Sequence, residues 1–468
     1  MKNRFIKLIT TTMSEKKKKV YLETYGCQMN VADSELVMGL LDKDGYDFTN
    51  SINDADVVMV NTCSVRENAE QRVYGRLGEF KALKTKRPEV VVGVIGCMAE
   101  RLRDRLTDEK AQGVGQIVDV IVGPDEYRKV PSLINKAWHG EKGIAVRLSR
   151  VETYDDLEPL RTEGLQAWIS VMRGCDKFCT FCVVPFTRGR ERSRTLENIV
   201  HEVEALASRG FREVTLLGQN VNSYRDNDFD FADLMGSVAE VDPRMRVRFT
   251  TSHPQDMSDK LIEVIAMYPN ICKFIHLPIQ SGSDRILELM NRTYDRKHYM
   301  RLVHKIMKAI PNVSLSTDVI AGFPTETEED HRETLALMNE VRFDGAYMFT
   351  YSPRENTPAF SMVDDVPADV KSRRITEIVE NQNRIALERN KTLVGTSLEV
   401  LVEGESKKSS EQWQGRTDGN KIVIFPKGNF SIGDFINVNI VRVNSATLFG
   451  ELQSSQQAYK EEQISAVA

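Results

Sequence analysis

The chain of 468 residues lacks any apolar run that approaches the roughly 20 residues needed to cross a bilayer, so no membrane association is expected. An excess of positive charge is also missing. The net charge is −5, so any contact with RNA must come from local patches and not from the molecule as a whole. Cysteine is scarce, at seven residues. The length favours about three domains.

Six of the seven cysteines form two sets of three, and the second set has the spacing C-x3-C-x2-C at Cys175, Cys179 and Cys182. Three thiolates from one loop can bind three irons of a [4Fe-4S] cluster and leave the fourth iron open to a small molecule. A structural zinc site would normally include a fourth Cys or His nearby, and residues 173–185 contain none. A zinc knuckle or three buried structural thiols are the alternatives.

The first set of cysteines follows three strand-like runs, at residues 20–26, 56–62 and 90–96. Each run is followed by a helical pattern, and two runs are almost continuously β-branched, as in strands buried on both faces of a parallel sheet. Parallel strands end at one edge of their sheet. We therefore expect Cys27, Cys63 and Cys97 to lie together as a second iron-binding triad. The alternative is that they are only small residues at tight strand-to-helix turns.

From Trp168 onward the chain alternates strands with amphipathic helices, which predicts a partial parallel βα barrel. Active sites of such barrels lie at the C-terminal ends of the strands, where the second cysteine loop and residues 218–220, 276–282 and 320–322 fall. Four arginines follow the loop, at Arg188, Arg190, Arg192 and Arg194. Guanidinium groups suit phosphate, so these arginines could bind an anionic substrate. The alternative is a solvated loop whose arginines pair with carboxylates.

Beyond a polar helix at residues 370–390, short alternating strands separated by glycine turns predict a small OB-like β-barrel. Residues 391–451 contain seven Lys or Arg and seven Asp or Glu, so composition alone does not indicate RNA binding. The charge run Lys16–Lys19 predicts a disordered lead-in at residues 1–17, and the polar residues 454–468 are predicted to be a disordered tail.

The second triad, with the aromatic Phe181 before its third cysteine, resembles that of the radical S-adenosylmethionine enzymes. Residues 23–30, 61–66 and 96–99 resemble the methylthiotransferases within that superfamily, and the likeness extends from about Val20 to Leu452. It implies a multidomain α/β chain in three parts. These are a methylthiotransferase N-terminal domain with an open parallel sheet and an auxiliary cluster at 18–145, a radical S-adenosylmethionine barrel at 146–389, and a TRAM RNA-binding barrel at 390–453.

The same resemblance implies the cofactors, namely two [4Fe-4S] clusters and S-adenosylmethionine. It places the amino group of S-adenosylmethionine at the loop of Gly218, Gln219 and Asn220. The adenine would lie against Phe181 and Ile320. It also implies an electron donor such as flavodoxin or ferredoxin. Thiolate ligands and an odd number of cysteines predict a reducing compartment, hence the cytoplasm.

Residues 178–194 and 250–254 most resemble the methylthiotransferases that act on carbon 2 of N6-isopentenyladenosine beside the anticodon of tRNA. That reaction uses two S-adenosylmethionine molecules per turnover, one as methyl donor and one as source of a 5′-deoxyadenosyl radical. The expected partner is the anticodon stem-loop of tRNA. Two alternatives are methylthiotransferases with other substrates. One acts on threonylcarbamoyladenosine in tRNA, and the other acts on an aspartate of a ribosomal protein. A third alternative is a non-catalytic RNA-binding protein with structural metal sites.

Overall fold

The computed structural model describes residues 17–64, 67–108, 115–161 and 164–452. The predicted tail, and all of the predicted lead-in except Lys17, lie outside these residues. None of the described helices is long and apolar enough to cross a membrane. We keep the predicted domain limits as working boundaries and call the parts the first domain, the central barrel and the C-terminal barrel.

The first domain is a parallel sheet of six strands in the order β2-β1-β3-β4-β5-β6, which confirms the predicted open α/β fold. Apolar clusters cover both faces of the sheet, because β3 turns Val57 and Met59 to one face and Val58 and Val60 to the other. The elements are β1 (Lys19–Tyr25), α1 (Gln28–Lys43), β2 (Asp47–Phe48), β3 (Val57–Thr62), α2 (Glu67–Lys86), β4 (Val91–Gly96), α3 (Cys97–Arg101), α4 (Arg103–Thr107), β5 (Val120–Val122), α5 (Val130–Trp138) and β6 (Gly143–Ala145).

The central barrel has six parallel strands in two ladders, β7-β10-β13 and β14-β15-β16, which a bridge between Val247 and Ile271 joins. In the described residues no ladder connects β16 to β7, so the barrel is partial, as predicted. Its elements are β7 (Gln166–Ser170), β8 (Met172–Arg173), α6 (Val184–Thr187), β9 (Arg192–Ser193), α7 (Leu196–Ser208), β10 (Glu213–Leu217), β11 (Arg225–Asp226), β12 (Phe229–Asp230), α8 (Phe231–Val241), β13 (Arg246–Thr250), α9 (Asp259–Met267), β14 (Phe274–His276), α10 (Asp284–Leu289), α11 (Arg296–Ala309), β15 (Ser314–Ala321), α12 (Glu328–Val341), β16 (Gly345–Thr350) and α13 (Ala368–Lys391).

The C-terminal barrel is closed and has the strand order β17-β18-β19-β21-β20, which confirms the predicted small β-barrel. It docks on the N-terminal ends of the central strands. Arg246 donates to the carbonyl of Arg416 at 2.7 Å, and Arg248 donates to the carbonyl of Asp418 at 2.8 Å. Its strands are β17 (Ser397–Ser406), β18 (Ser409–Thr417), β19 (Ile422–Pro426), β20 (Phe435–Val443) and β21 (Thr447–Leu452).

Candidate active site

The first cysteine triad lies at one edge of the first domain's sheet. Cys27 precedes α1, Cys63 follows β3 and Cys97 begins α3. The strands before them, β1, β3 and β4, are parallel neighbours, so the three thiols follow adjacent strand ends. A hydrogen bond from the Cys63 thiol lowers the pKa of Cys27 to about 6, against the effect of burial and with help from the charge of Arg188.

Two glycines allow this close approach. Gly26 has φ +126°, and a Cβ there would lie 2.4 Å from the Cβ of Cys63. Gly96 has φ +93°, and a Cβ there would lie 2.4 Å from Asn61 Oδ1. Both φ values lie in the region that side chains other than glycine rarely adopt. The positions before Cys27 and Cys97 therefore require glycine for a steric reason.

A buried amide network lies behind the first triad. Asn61 Nδ2 donates to the carbonyl of Asn30 at 2.8 Å, and Asn30 Nδ2 donates to Asn61 Oδ1 at 3.1 Å. The Cys27 thiol donates to Asn30 Oδ1 at 3.2 Å. Sequence reasoning missed both asparagines. The only available signal was a polar residue inside the apolar strand β3.

The second triad lies in the loop between β8 and α6. Burial, together with neighbouring thiolates of the same triad, raises the pKa of Cys175 and of Cys182 to about 12. Iron binding there must displace protons, since only thiolates ligate metal. Arg292 Nη1 donates to Cys179 Sγ at 3.2 Å. No sequence signal pointed to Arg292.

The number of thiols bears on the kind of metal that each triad can hold. Each triad offers three cysteines, whereas a structural zinc site normally takes four protein ligands. Three thiolates can hold three irons of a [4Fe-4S] cluster and leave the fourth open to a small molecule.

The loop after β10 presents two buried acceptors. Gln219 Oε1 and Asn220 Oδ1 are buried and have no hydrogen-bond partner within the described part of the chain. Asn220 Nδ2 donates to Asp256 Oδ2 at 2.7 Å, which orients the amide. Gly218 is close-packed, because a Cβ there would lie 2.8 Å from Met172 Cγ. Unsatisfied carbonyl oxygens suit an ammonium group, which has three donors and no acceptor.

Phe181 and Ile320 contact one apolar cluster, although 139 positions separate them in the sequence. Phe323 and Tyr351 belong to that cluster, and their rings meet edge to face at 5.2 Å. The structure thus brings together the two residues predicted to contact adenine.

The four arginines after the second triad require a correction. Arg188, Arg192 and Arg194 are buried, at 3%, 7% and 8% exposure. They donate to Asp33 at 2.7 Å, Asp125 at 2.8 Å and Asp155 at 2.8 Å, respectively. Buried guanidinium groups are stable only when paired, so the predicted contact with substrate phosphates does not fit these three. Arg190 alone of the four is exposed; it pairs with Asp176 and lies over the ring of Phe178.

The two cysteine triads belong to one site. Helix α3, which begins at Cys97, packs against α6, which follows the second triad. Arg188, directly after α6, donates from Nε to Cys97 Sγ at 3.2 Å. The edge of the first domain that carries the first triad and the edge of the central barrel that carries the second triad therefore meet at this contact.

Three family models match the chain. The Radical SAM superfamily matches residues 169–338, Uncharacterized protein family UPF0004 matches residues 19–123, and the TRAM domain matches residues 391–453. A tRNA-2-methylthio-N(6)-dimethylallyladenosine synthase from Chloroherpeton thalassium is 53% identical over 437 residues, covering 93% of this chain and 96% of its own length. One with the same name from Christiangramia forsetii is 49% identical, covering 95% and 96%.

Solved structures support the fold. The radical S-adenosylmethionine methyltransferase TsrM from Kitasatospora setae superposes with a TM-score of 0.55 at 15% identity, covering 74% of this chain and 75% of its own. The cobalamin-dependent radical enzyme OxsB gives a TM-score of 0.51 at 11% identity, covering 77% and 56%. Fold and site together define a radical S-adenosylmethionine enzyme with an added N-terminal domain and a TRAM barrel. Within that class, the chain belongs to the family of the tRNA-2-methylthio-N(6)-dimethylallyladenosine synthases.

Proposed function

We propose that this protein methylthiolates carbon 2 of N6-isopentenyladenosine beside the anticodon of tRNA, with two S-adenosylmethionine molecules per turnover. The observation that carries the proposal is the meeting of two cysteine triads at one site, joined by the contact between Arg188 and Cys97. One triad suits radical generation and the other suits delivery of a sulfur-containing group. The names of the relatives support the choice of tRNA over a ribosomal protein.

Each triad has a separate role in this proposal. Cys175, Cys179 and Cys182 would hold a [4Fe-4S] cluster, which would supply the electron for cleavage of S-adenosylmethionine. Cys27, Cys63 and Cys97 would hold a second, auxiliary cluster, which would serve the transfer of sulfur.

The rest of the site would orient S-adenosylmethionine. Gln219 Oε1 and Asn220 Oδ1 would accept hydrogen bonds from its ammonium group, since the described residues leave both atoms without a donor. Phe181 and Ile320 would cover the adenine from the apolar cluster that they share. Both contacts hold the sulfonium near the second triad and limit the access of water.

The tRNA would be bound over a long surface. Carbon 2 of adenine is reached only when the base leaves its stack, and loop bases are the ones that leave it most readily. The C-terminal barrel docks at the N-terminal ends of the central strands, whereas the cysteines lie at the C-terminal ends. An RNA bound by both must therefore run the length of the central barrel.

A flavodoxin or ferredoxin in the cytoplasm would supply the electrons.

The test uses a synthetic anticodon stem-loop that carries isopentenyladenosine, with the anaerobically reconstituted protein. We expect mass spectrometry to find one hydrogen replaced by one methylthio group. Matched controls are the stem-loop with plain adenosine, the stem-loop with threonylcarbamoyladenosine and a ribosomal-protein peptide. The proposal is wrong if the isopentenylated RNA stays inert while one of the other targets gains the group. No S-adenosylmethionine cleavage at all would favour the non-catalytic alternative.

A further inference from the structure

Arg188 joins the two halves of the active site through a buried ion network. It lies directly after α6 of the central barrel and is 3% exposed. Its Nε donates to Cys97 Sγ at 3.2 Å, and its Nη2 donates to Asp33 at 2.7 Å. Both acceptors belong to the first domain. One guanidinium therefore bonds a candidate cluster ligand and a buried carboxylate at once.

Arg188 belongs to a wider buried network of arginines and carboxylates. Asp33 also accepts from Arg173 at 3.0 Å, and Asp125 accepts from Arg192 at 2.8 Å. Arg173 lies 3.8 Å from Asp125 as well. Three guanidiniums thus share these two carboxylates, all of them buried, and Glu152 also acts on the charge of Arg192. Of the three guanidiniums, Arg188 is the one that bonds a sulfur.

Resting on the proposed function, we propose that Arg188 is a positioning residue of the auxiliary centre and acts through Cys97. Its Nε–H group donates to the Cys97 sulfur that would ligate the cluster. A hydrogen bond to a ligating sulfur stabilises the more negative reduced state, so it raises the reduction potential of a cluster bound there. Because Arg188 comes from the central barrel, it also aligns that centre with the edge where S-adenosylmethionine is cleaved.

The second triad has its own arginine, which gives the test an independent comparison. Arg292 donates to Cys179 Sγ at 3.2 Å and also to the hydroxyl of Tyr294. If each arginine serves the cysteine that it contacts, substitution of Arg188 affects only the auxiliary centre. Substitution of Arg292 affects only the centre in the central barrel.

The competing explanation is that Arg188 only attaches the first domain to the central barrel. Arg192 is the matched control for this explanation. It comes from the same segment, is buried to a similar degree and pairs with Asp125 of the first domain. Its hydrogen bonds in the described structure go to Asp125 and to backbone carbonyls, and none goes to a sulfur.

The experiment uses full-length protein in which Cys175, Cys179 and Cys182 are alanine, so that only the first triad loads. Arg188→Met and Arg192→Met are compared by iron content, electron paramagnetic resonance of the reduced cluster and midpoint potential. We expect Arg188→Met to bind iron about 10- to 100-fold more weakly, and the cluster that does load to show an altered spectrum and a lower potential. Arg192→Met should match the parent. Arg188→Lys, which keeps the charge, should recover part of the iron.

Two results overturn the proposal. One is an unchanged spectrum and potential in folded Arg188→Met, and the other is an equal loss in Arg192→Met. If Arg188→Met does not fold, the same comparison is made with Arg188→Lys, whose donors share one nitrogen and cannot reproduce the guanidinium fork between Cys97 and Asp33, so it must still shift the spectrum. These measurements contain no RNA, so they stand even if tRNA is not the substrate. With both triads intact, Arg188→Met should lower methylthio product while 5′-deoxyadenosine formation continues, and Arg292→Met should lower both.

Discussion

Arg173 donates a hydrogen bond to Asp33 at 3.0 Å, across the boundary between the central barrel and the first domain. The two residues are 140 positions apart in the sequence, and their side chains are 2% and 1% exposed. Asp33 keeps its charge at this depth because Arg173 and Arg188 lower its pKa, against the effect of burial. The relative position of the two cysteine triads therefore depends on a paired buried charge.

Replacing Asp33 by Ala should destabilise the protein by about 3–5 kcal/mol, because it leaves buried guanidinium groups without their carboxylate. Chemical denaturation monitored by circular dichroism measures the change. Asp176→Ala is the control, since Asp176 pairs with an exposed arginine, Arg190, and should have little effect. Equal loss in both variants would contradict the role of burial.

The reconstituted protein should contain about eight irons, the sum of two cubane clusters. Replacing Cys175, Cys179 and Cys182 by Ala should leave about half of the iron and abolish S-adenosylmethionine cleavage. Replacing Cys27, Cys63 and Cys97 should also leave about half, but cleavage should continue without methylthiolation. Iron analysis measures the cluster content of each triple variant, and chromatography of 5′-deoxyadenosine measures S-adenosylmethionine cleavage. Methylthio product from the second triple variant would disprove the assignment.

Gly26→Ala should prevent loading of the first triad, because the new Cβ would lie 2.4 Å from the Cβ of Cys63 at a φ of +126°. Iron content should fall by about half, while the cluster in the central barrel remains. Gly75→Ala is the matched control. A Cβ at Gly75, inside α2, meets nothing within 4 Å, and alanine should stabilise the helix by about 1 kcal/mol. Full iron in Gly26→Ala would refute the steric argument.

Arg190→Ala should reduce the salt dependence of tRNA binding by about one unit of slope, if this exposed arginine contacts a phosphate. Arg194→Ala should leave the slope unchanged and lower the melting temperature, because Arg194 is buried between Asp155 and Glu202. Filter binding at several salt concentrations measures the slope. A change of slope in Arg194→Ala alone would show that Arg194, and not Arg190, contacts phosphate.

The stability of the protein should decrease as the pH falls from about 7 to 5. Burial, with Arg292 and Lys177 nearby, lowers the pKa of His253 to about 2 in the folded protein, whereas an unfolded histidine titrates near about 6.5. The unfolded state therefore takes up a proton that the folded state does not, and unfolding becomes easier by up to about 1.4 kcal/mol per pH unit. His253→Asn should show a shallower slope in urea titrations at each pH. An unchanged slope would exclude this histidine as the cause.

The sequence predicts a feature best when the residues that form it lie close together along the chain. The second triad spans eight positions, so its thiols must be close in any fold. The first triad needs only parallel order, which continuous apolar runs such as β3 and β4 indicate. The helical pattern after the first run indicates a start near Asp33, whereas helix α1 begins at Gln28, directly after Cys27. Strands β2, β5 and β6 were missed, because two or three residues carry no periodicity.

Local spacing and repeated patterns are enough to predict the two cysteine triads, the three-part architecture and the resemblance to the methylthiotransferases. The role of the arginines depends on the folded structure. Their carboxylate partners come from distant segments, 155 residues away for Arg188 and 67 for Arg192, and no local pattern shows which side chains a domain boundary will bury. The same holds for Arg292 and Cys179, separated by 113 residues and joined only by the folding of the central barrel.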